Sequence, residues 1–334
     1  MMSRQLVVIS RQGKSMKKDI FSNEYTPRFT GHETFHLRYG WLKKSYDAIK
    51  KSNANKIAQN IFKDESSISY FGVGKNMVSS IKHWALAFGL LKADENKEND
   101  YITTSFADFI FDLDTGCDPY LEHLSTLWIL HWKLVTESKK TTFIYAFNLF
   151  NEPEIERDSF LKSINQLITK QGWPEAADKT IQKDISNLIG TYALRRLDKR
   201  LSIEDIINSP FIELQLLSQT DGNSFKLNRG KKVGLSIGVF AYCLLEFWNR
   251  EGLGSTTLSF EKVCHDPFSP GRAFVLTQQD IMHYIEQLET FTKGAVYWVE
   301  SSGSRHIARI NGNLKANLEW IRPYVIDDKI META

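Results

Sequence analysis

Residues 71–91 read FGVGKNMVSSIKHWALAFGLL, and the folding of the surrounding chain is parsed from this stretch. Phe71-Gly72-Val73-Gly74 is a turn whose glycines can take positive φ. From Lys75 onward Met77, Val78, Ile81, Trp84, Ala85 and Phe88 recur at helical spacing on one face. Asn76, Ser79, Ser80, Lys82 and His83 are left on the other, and Gly89 stops the helix. Upstream, Asn55 to Phe62 can form a short helix. Downstream, Leu90-Leu91-Lys92 and Tyr101-Ile102-Thr103 can pair as two strands around the polar tip Asp94 to Asp100. Helix, glycine turn, amphipathic helix and hairpin predict a winged helix-turn-helix, whose second helix enters the major groove led by its N-terminal polar residues. Lys75, Asn76, Ser79, Ser80 and Lys82 are therefore candidate DNA contacts. Lysine suits phosphate or guanine, asparagine suits adenine, and serine suits either base or backbone. The acidic tip (Asp94, Glu95, Glu98, Asp100) argues against that hairpin lying on phosphate.

The same stretch superficially resembles a phosphate loop at Gly72-Val73-Gly74-Lys75-Asn76. Ser69 stands where the earlier glycine is required, and Asn76 replaces the hydroxyl residue that would hold magnesium. Nucleotide binding in that mode is not expected.

Forty residues earlier, Gly31 to Leu42 reads GHETFHLRYGWL and contains a literal HExxH at His32, Glu33 and His36. A zinc protease needs both imidazoles on one helical face, a glutamate aimed at the metal-bound water, and a third ligand from elsewhere. Thr30-x-x-Glu33 is also a capping box, which would turn the Glu33 carboxylate back onto the Thr30 amide at a helix start. No second His-rich motif follows. Thr30 is thus expected to begin a helix with Phe35, Tyr39, Leu42, Tyr46 and Ile49 as its apolar stripe. Arg38, Lys43, Lys44, Lys50 and Lys51 fall largely off that stripe, and the histidines are expected to serve structure or phosphate rather than zinc.

Charge supports a polyanion-facing end. Residues 1–92 hold 16 Lys/Arg against 6 Asp/Glu, a surplus of ten in a chain whose net charge is +2, so the remainder carries −8. A basic arm is expected over 1–28, with Arg4, Arg11, Lys14, Lys17, Lys18 and Arg28. Lys43, Lys44, Lys75 and Lys82 would supply salt-dependent phosphate contacts, and Arg38 is a further candidate DNA contact.

Beyond residue 92, Asp118-Pro119 offers an N-cap and a first-turn proline for a helix. Leu121, Leu124, Leu127, Trp128, Leu130, Trp132 and Leu134 make that helix apolar on most sides, hence central. Thr142 to Phe150 reads as a strand-like aromatic run. Thr180 to Tyr192 reads as an amphipathic helix flanked by Lys179, Lys183, Arg195, Arg196, Lys199 and Arg200. Val239 to Trp248 is helical, Phe274 to Leu276 a short strand, and Thr277 to Leu288 a helix capped by Thr277 with Asp280. Ala295 to Glu300 and His306 to Ile310 alternate as a hairpin. The expected class is α+β, mainly helical, with winged helix-turn-helix units and short β-hairpins. The expected division is 1–115 for a basic arm and winged-helix DNA-binding domain, 116–245 for a central helical domain, and 246–334 for a C-terminal winged-helix-like domain.

At 334 residues and 42% hydrophobic content the chain can bury two or three cores, and no repeat of fixed period is evident. Leu6 to Ile9 is too short for a signal-peptide core, and His131 and Lys133 interrupt the apolar stretch Leu124 to Val135, so no membrane span is expected. Cys117, Cys243 and Cys264 lie far apart, which fits buried thiols in a reducing cytoplasm. Asp108, Asp112, Asp114, Asp118 and Glu122 form an acidic group that magnesium-dependent phosphodiester cleavage could use, or a solvated loop with one cap.

Three of these stretches together, GHETFHLRYGWLKK, FGVGKNMVSSIKHWALAFGLL and DPYLEHLSTLWILHW, resemble the SspB-like bacterial family, a domain of unknown function associated with DNA phosphorothioate modification. The likeness runs from about Phe29 into the C-terminal third, where SPFIELQLL and PGRAFVLT share it. The resemblance implies a cytoplasmic DNA-binding component acting with sulfur-transfer enzymes of the modification system, a cysteine desulfurase and an ATP-dependent enzyme. It also implies DNA nicking, which opens the backbone for sulfur insertion. The positions best matched to the family are His32, Glu33, Arg38, Lys75, Asp118 and Glu122, of which His32, Glu33, Arg38, Asp118 and Glu122 are the catalytic candidates. Two activities follow as expectations: DNA binding without catalysis, and metal-dependent nicking with magnesium or manganese. An adaptor that binds only protein partners is the third. No metal ligand is assigned.

Overall fold

The computed structural model describes residues 20–21, 25–54, 61–63, 66–98, 100–193, 209–301 and 303–326. Most of the basic arm, residues 55–60 of the expected short helix, and Arg195, Arg196, Lys199 and Arg200 lie outside these residues. The architecture is α+β and mainly helical, with three small antiparallel sheets among the described residues.

The first unit is built from α1 (Trp41–Ala54), α2 (Ser66–Phe71), α3 (Lys75–Ala87), the two-stranded sheet of β1 (Leu91–Ala93) and β2 (Tyr101–Thr103), and α4 (Ser105–Phe111). The expected hairpin forms, with its first strand one residue later than expected, and its register pairs Leu91 with Thr103 and Ala93 with Tyr101. Helix α3 turns Val78, Ile81, Trp84 and Ala85 inward, and the glycine turn holds Gly72 at φ 65°. His83, assigned to the outer face by its spacing, is buried as well.

The second unit begins with α5 (Leu124–Thr136) and α6 (Thr141–Ile144), the latter running into a π turn over Tyr145–Leu149. The strand expected over Thr142 to Phe150 is therefore helical. Its aromatic residues look like strand formers, but packing decides the backbone. Asn148 at its centre donates to the carbonyls of Val135 (2.8 Å) and Ile144 (3.1 Å), geometry available only to a wound chain. Strand β3 (Glu154–Glu156), α7 (Arg157–Gln171), α8 (Asp178–Tyr192), β4 (Leu217–Gln219) and β5 (Ser224–Leu227) complete the unit.

The third unit holds α9 (Ile237–Glu251), β6 (Thr257–Ser259), α10 (Phe260–His265), α11 (Pro270–Ala273), α12 (Gln278–Phe291), β7 (Val296–Ser301) and β8 (Ser304–Arg309). Thr277 and Asp280 cap α12 reciprocally, as expected. Phe274 to Leu276 is not a strand. The amides of Phe274, Val275 and Leu276 bond back to Pro270, Arg272 and Gly271, and Val275 sits at φ 54°. These residues close the short helix α11 rather than extend.

The second and third sheets share one topology, with strand order β3-β5-β4 and β6-β8-β7. In both, the first strand leads into helices, α7 and α8 after β3 and α10, α11 and α12 after β6 among the described residues, and a hairpin returns to pair with it. The first unit has helices and a hairpin without a leading strand. The strand order of the second and third sheets thus recurs where no sequence period is visible.

Helix α5 ties the units together. Every residue from Ser125 to Thr136 is buried. Several of its polar groups meet partners on neighbouring elements: His131 Nδ1 lies 2.7 Å from the Tyr192 hydroxyl and Nε2 2.7 Å from the Ala273 carbonyl. Lys133 donates to Glu246 and Glu137, both at 2.8 Å, and Trp132 Nε1 donates to Glu246 at 2.7 Å. One continuous apolar core runs from Phe29 to Val325 through all three units. The expected boundary at 245/246 falls inside α9, which packs on α5 along its length, so this position does not separate two parts of the fold. Helix α5 itself starts at Leu124, not at Asp118. Leu121 adopts φ 58°, and the Asp118 carboxylate accepts the amides of Glu122 (2.9 Å) and His123 (3.1 Å), capping a loop that precedes the helix.

Candidate nucleic-acid interface

Residues 30–40 form a loop, not the first turns of a helix, and α1 starts only at Trp41. Three of four residues explain this. Gly31 sits at φ 101°, Glu33 at 46° and Thr34 at 68°, positive values that no right-handed helix tolerates. The capping box at Thr30 and Glu33 is therefore not formed. His32 and His36 consequently lack the one-turn spacing that a zinc site would need.

The loop is held from behind by a buried charged group. His32 Nδ1 accepts the amide of Thr34 at 3.1 Å, which leaves Nε2 to carry the proton. Nε2 lies 3.2 Å from Asp184 Oδ1 on α8. The same oxygen takes the Lys140 ammonium at 2.5 Å, and all three side chains are buried. The Lys140 ammonium rests 4.9 Å from the Phe143 ring centre and 5.5 Å from that of Trp84. Burial alone would raise the Asp184 carboxyl, but Lys140 and His32 beside it hold it well below the ordinary range. Burial, together with Lys140 and His32, pushes the neighbouring His83 imidazole down to about 2, so it stays neutral. His36 packs against Gly190, where a Cβ would come within 2.9 Å of its Nδ1. Both HExxH histidines thus face α8 and fix the loop. Glu33 is exposed.

The outward side of this arrangement is basic and polar. A shallow cavity of about 280 Å³ is lined by Thr34 of the loop and by Lys179, Gln182, Lys183 and Ser186 of α8. Arg157 donates to the Ser186 hydroxyl at 2.9 Å. Sequence spacing marked Lys179 and Lys183 only as flanking charges. Their gathering beside the loop depends on the His32–Asp184 contact, which no local pattern reveals.

Helix α3 supplies the second basic surface. Lys75 and Asn76 are exposed in its first turn, Ser79 and Lys82 are half-buried, and Ser80 is fully buried. The Ser80 hydroxyl points at the Phe35 carbonyl (3.5 Å), so it is removed from the DNA-contact set: its position on the helix turns it into the core. The first turn contains no acid, and Gly74 precedes it without a side-chain cap. Its amides therefore add a partial positive charge to Lys75. Lys44 is exposed, reaching the Phe71 carbonyl at 3.4 Å, beside this turn. Lys43 is paired with Asp47 at 2.7 Å, and Arg38 lies against Phe35 and Trp41 with its guanidinium 5.6 and 5.7 Å from their ring centres. Lys43 and Arg38 are thus largely committed within the fold.

The acidic candidates gather elsewhere. Asp108 takes Lys50 at 2.7 Å and the Tyr46 hydroxyl at 2.9 Å. Asp112 accepts the Asp114 and Thr115 amides and the Thr115 hydroxyl. Asp118 is buried and occupied by two amides, while Glu122 is exposed. No contact brings them to His32 or Glu33. Asp108 is thus paired with a lysine and Asp112 and Asp118 with amides, and among the described residues no group of three His, Cys, Asp or Glu could hold a metal. Among those residues, too, no helix is long and apolar enough to cross a membrane. Cys117, Cys243 and Cys264 are free and buried, as expected.

Two solved structures resemble this one closely. SspB and magnesium ion-bound SspB each superpose with a TM-score of 0.75 at 26% identity, covering 90% of this chain and 87% of theirs. A comparison with the curated proteins found no match. The model of a family described as a protein of unknown function, DUF4007, matches residues 29–325. That span takes in all three units and both basic surfaces, and the chain belongs to the DUF4007 family.

Proposed function

We propose that this protein is a DNA-binding component of a bacterial DNA phosphorothioate modification or linked defence system. In this reading the first unit is a winged helix-turn-helix and α3 its recognition helix. The observation that carries it is the exposed, acid-free and uncapped first turn of α3, with Lys75 and Asn76 on it and Lys44 beside it. Free amides at a helix start together with lysines make a phosphate seat. Asn76 and Ser79 orient or read bases next to it. The acidic hairpin tip at Asp94 to Asp100 stays off the duplex. The similarity to SspB supports the link to the modification system, and sulfur-transfer enzymes are the protein partners it would serve in the cytoplasm.

The test is salt-titrated retention of the full chain on duplex DNA. Retention that falls steeply with salt, and that weakens for Lys75→Ala/Asn76→Ala, supports the reading. Retention indifferent to salt and to these substitutions makes the protein an adaptor for protein partners.

A second reading, metal-dependent nicking of DNA, is favoured by one observation: one of the two similar SspB structures holds magnesium. Supercoiled plasmid incubated with magnesium or manganese would yield open circles. Glu33→Ala and Glu122→Ala are the informative variants, since both side chains are exposed and neither holds the fold together. Circles that persist in both variants, or that never form, count against nicking by these residues.

A further inference from the structure

A second, deeper cavity lies far along the chain from α3. About 530 Å³ opens between the segment 231–237 and α12. Three of its lining residues, Gln279, His283 and Gln287, come from α12 at four-residue spacing and so form one ridge. Gln279 and His283 are exposed, and Gln287 is half-buried. Opposite them stand Lys231 and Lys232, with Val233 as an exposed apolar lip. The floor is apolar. Leu235 and Ile237 are buried, and Tyr284 is locked by its hydroxyl to the Leu235 carbonyl (2.7 Å) and stacked on Phe240 at 4.5 Å.

Each wall has a chemical consequence. Amide and imidazole side chains both donate and accept, so the ridge can meet the edge of a heterocycle. Gln287 already donates its amide to the His283 carbonyl (3.1 Å), which leaves its side-chain oxygen as an acceptor. Lys232 is 6% exposed and donates one of its three protons to the Asn228 carbonyl. Burial, against the pull of Asp280, pushes the Lys232 ammonium down to about 8, so an arriving anion would stabilise its charge. Asp280, the one acid in the lining, is held by the Thr277 amide (2.9 Å) and hydroxyl in the helix cap. The volume falls in the range of small-ligand sites, about 300–1,000 Å³. A bare phosphate would leave most of it empty, and a duplex would not enter.

We propose that this cavity takes one nucleotide, with its base against the Gln279–His283–Gln287 ridge and its phosphate toward Lys231 and Lys232. The proposal deepens the DNA-binding reading and rests on it for the choice of a nucleic acid over other planar anions. The nucleotide is either a single unit of an unpaired DNA strand or a free nucleotide.

Fluorescence anisotropy on the full chain tests this with two labelled single strands of equal length, one bearing bases and one abasic. The base-bearing strand should bind about fivefold or more tightly, the scale of edge hydrogen bonding to one base. His283→Ala/Gln287→Ala should reduce that preference below about twofold. Both residues lie at the surface or half-buried, so folding should survive, as an unchanged melting temperature would verify. Adenosine monophosphate as competitor separates the sources: displacement at micromolar concentration assigns the cavity to a free nucleotide, and none at millimolar concentration assigns it to the strand. Equal binding of the two strands by the wild type with no displacement by the mononucleotide overturns the proposal. So does a preference unchanged in the double variant. Duplex retention on the same samples reports the α3 reading separately, because Lys75→Ala should weaken duplex binding and leave the base preference intact.

Discussion

Lys140 and Asp184 form a buried ion pair 2.5 Å apart, and His32 shares the same carboxylate oxygen at 3.2 Å. The contact joins α6, α8 and the 30–40 loop at one point, so the shape of the basic surface outside depends on charges that never see solvent.

Removing one member strands the other. Asp184→Ala should cost about 3–5 kcal/mol, because the Lys140 ammonium is left in a dry site. Lys140→Met/Asp184→Leu should recover much of that loss, since apolar residues of similar size remove both charges together. Denaturant unfolding of the three proteins checks the order, and the double variant should still lose the loop geometry that His32 secures.

Acid should unfold the protein in a window set by its buried imidazoles. Burial, with Lys140 and His32 near it, holds His83 at about 2, and burial holds His131 at about 3 against the Ala273 carbonyl. The unfolded chain takes up these protons near the ordinary value of about 6.5, so stability falls as pH drops below it. Each histidine contributes a slope of at most about 1.4 kcal/mol per pH unit. Asp184, held low in the fold, adds a loss of the same sign once pH falls below the ordinary carboxylate range. Urea titrations between neutral pH and pH about 4.5 should show this decline, and His83→Gln should remove about half the histidine slope.

Among the four polar residues Lys75, Asn76, Ser79 and Ser80, the structure separates surface from core. Lys75→Ala should lower the salt dependence of duplex binding by about one unit of log K per log salt. Ser80→Ala should leave DNA affinity within about twofold and change only stability, by about 1 kcal/mol, through the Phe35 carbonyl it now meets. Filter binding across a salt series resolves the two.

Gly31 cannot be replaced cheaply. At φ 101° a side chain is strained, and a Cβ there would stand 2.6 Å from His83 Nδ1. Gly31→Ala should therefore lose about 1–3 kcal/mol, measured as a fall in unfolding midpoint, with the loop's grip on α8 loosened as well.

The elements with a strong period were legible in the sequence. Helices α3, α5 and α12, both predicted hairpins and the Thr277–Asp280 cap follow from local pattern, because their apolar residues or turn chemistry leave one consistent solution. What misled was local signal overruled at a distance. Thr30-x-x-Glu33 has capping-box letters, yet Gly31, Glu33 and Thr34 take positive φ where His32 meets Asp184, more than 150 residues away. Asp118-Pro119 has helix-start letters, yet it caps a loop. The aromatic run at Thr142 winds because Asn148 finds its acceptors on α5 and on its own turn. The α8 surface and the α12 cavity were invisible for the same reason: each assembles residues from segments that no spacing relates.

Helix α5 has a consequence for how this family can change over time. Because it is enclosed on every side, an inserted or deleted residue anywhere along it would rotate every contact that follows by about 100°. Length variation among relatives should therefore be rejected there and collect at exposed loops away from it, such as residues 94–98 and 221–222. The helix that looks least like a functional element is the one that sets the register for the rest.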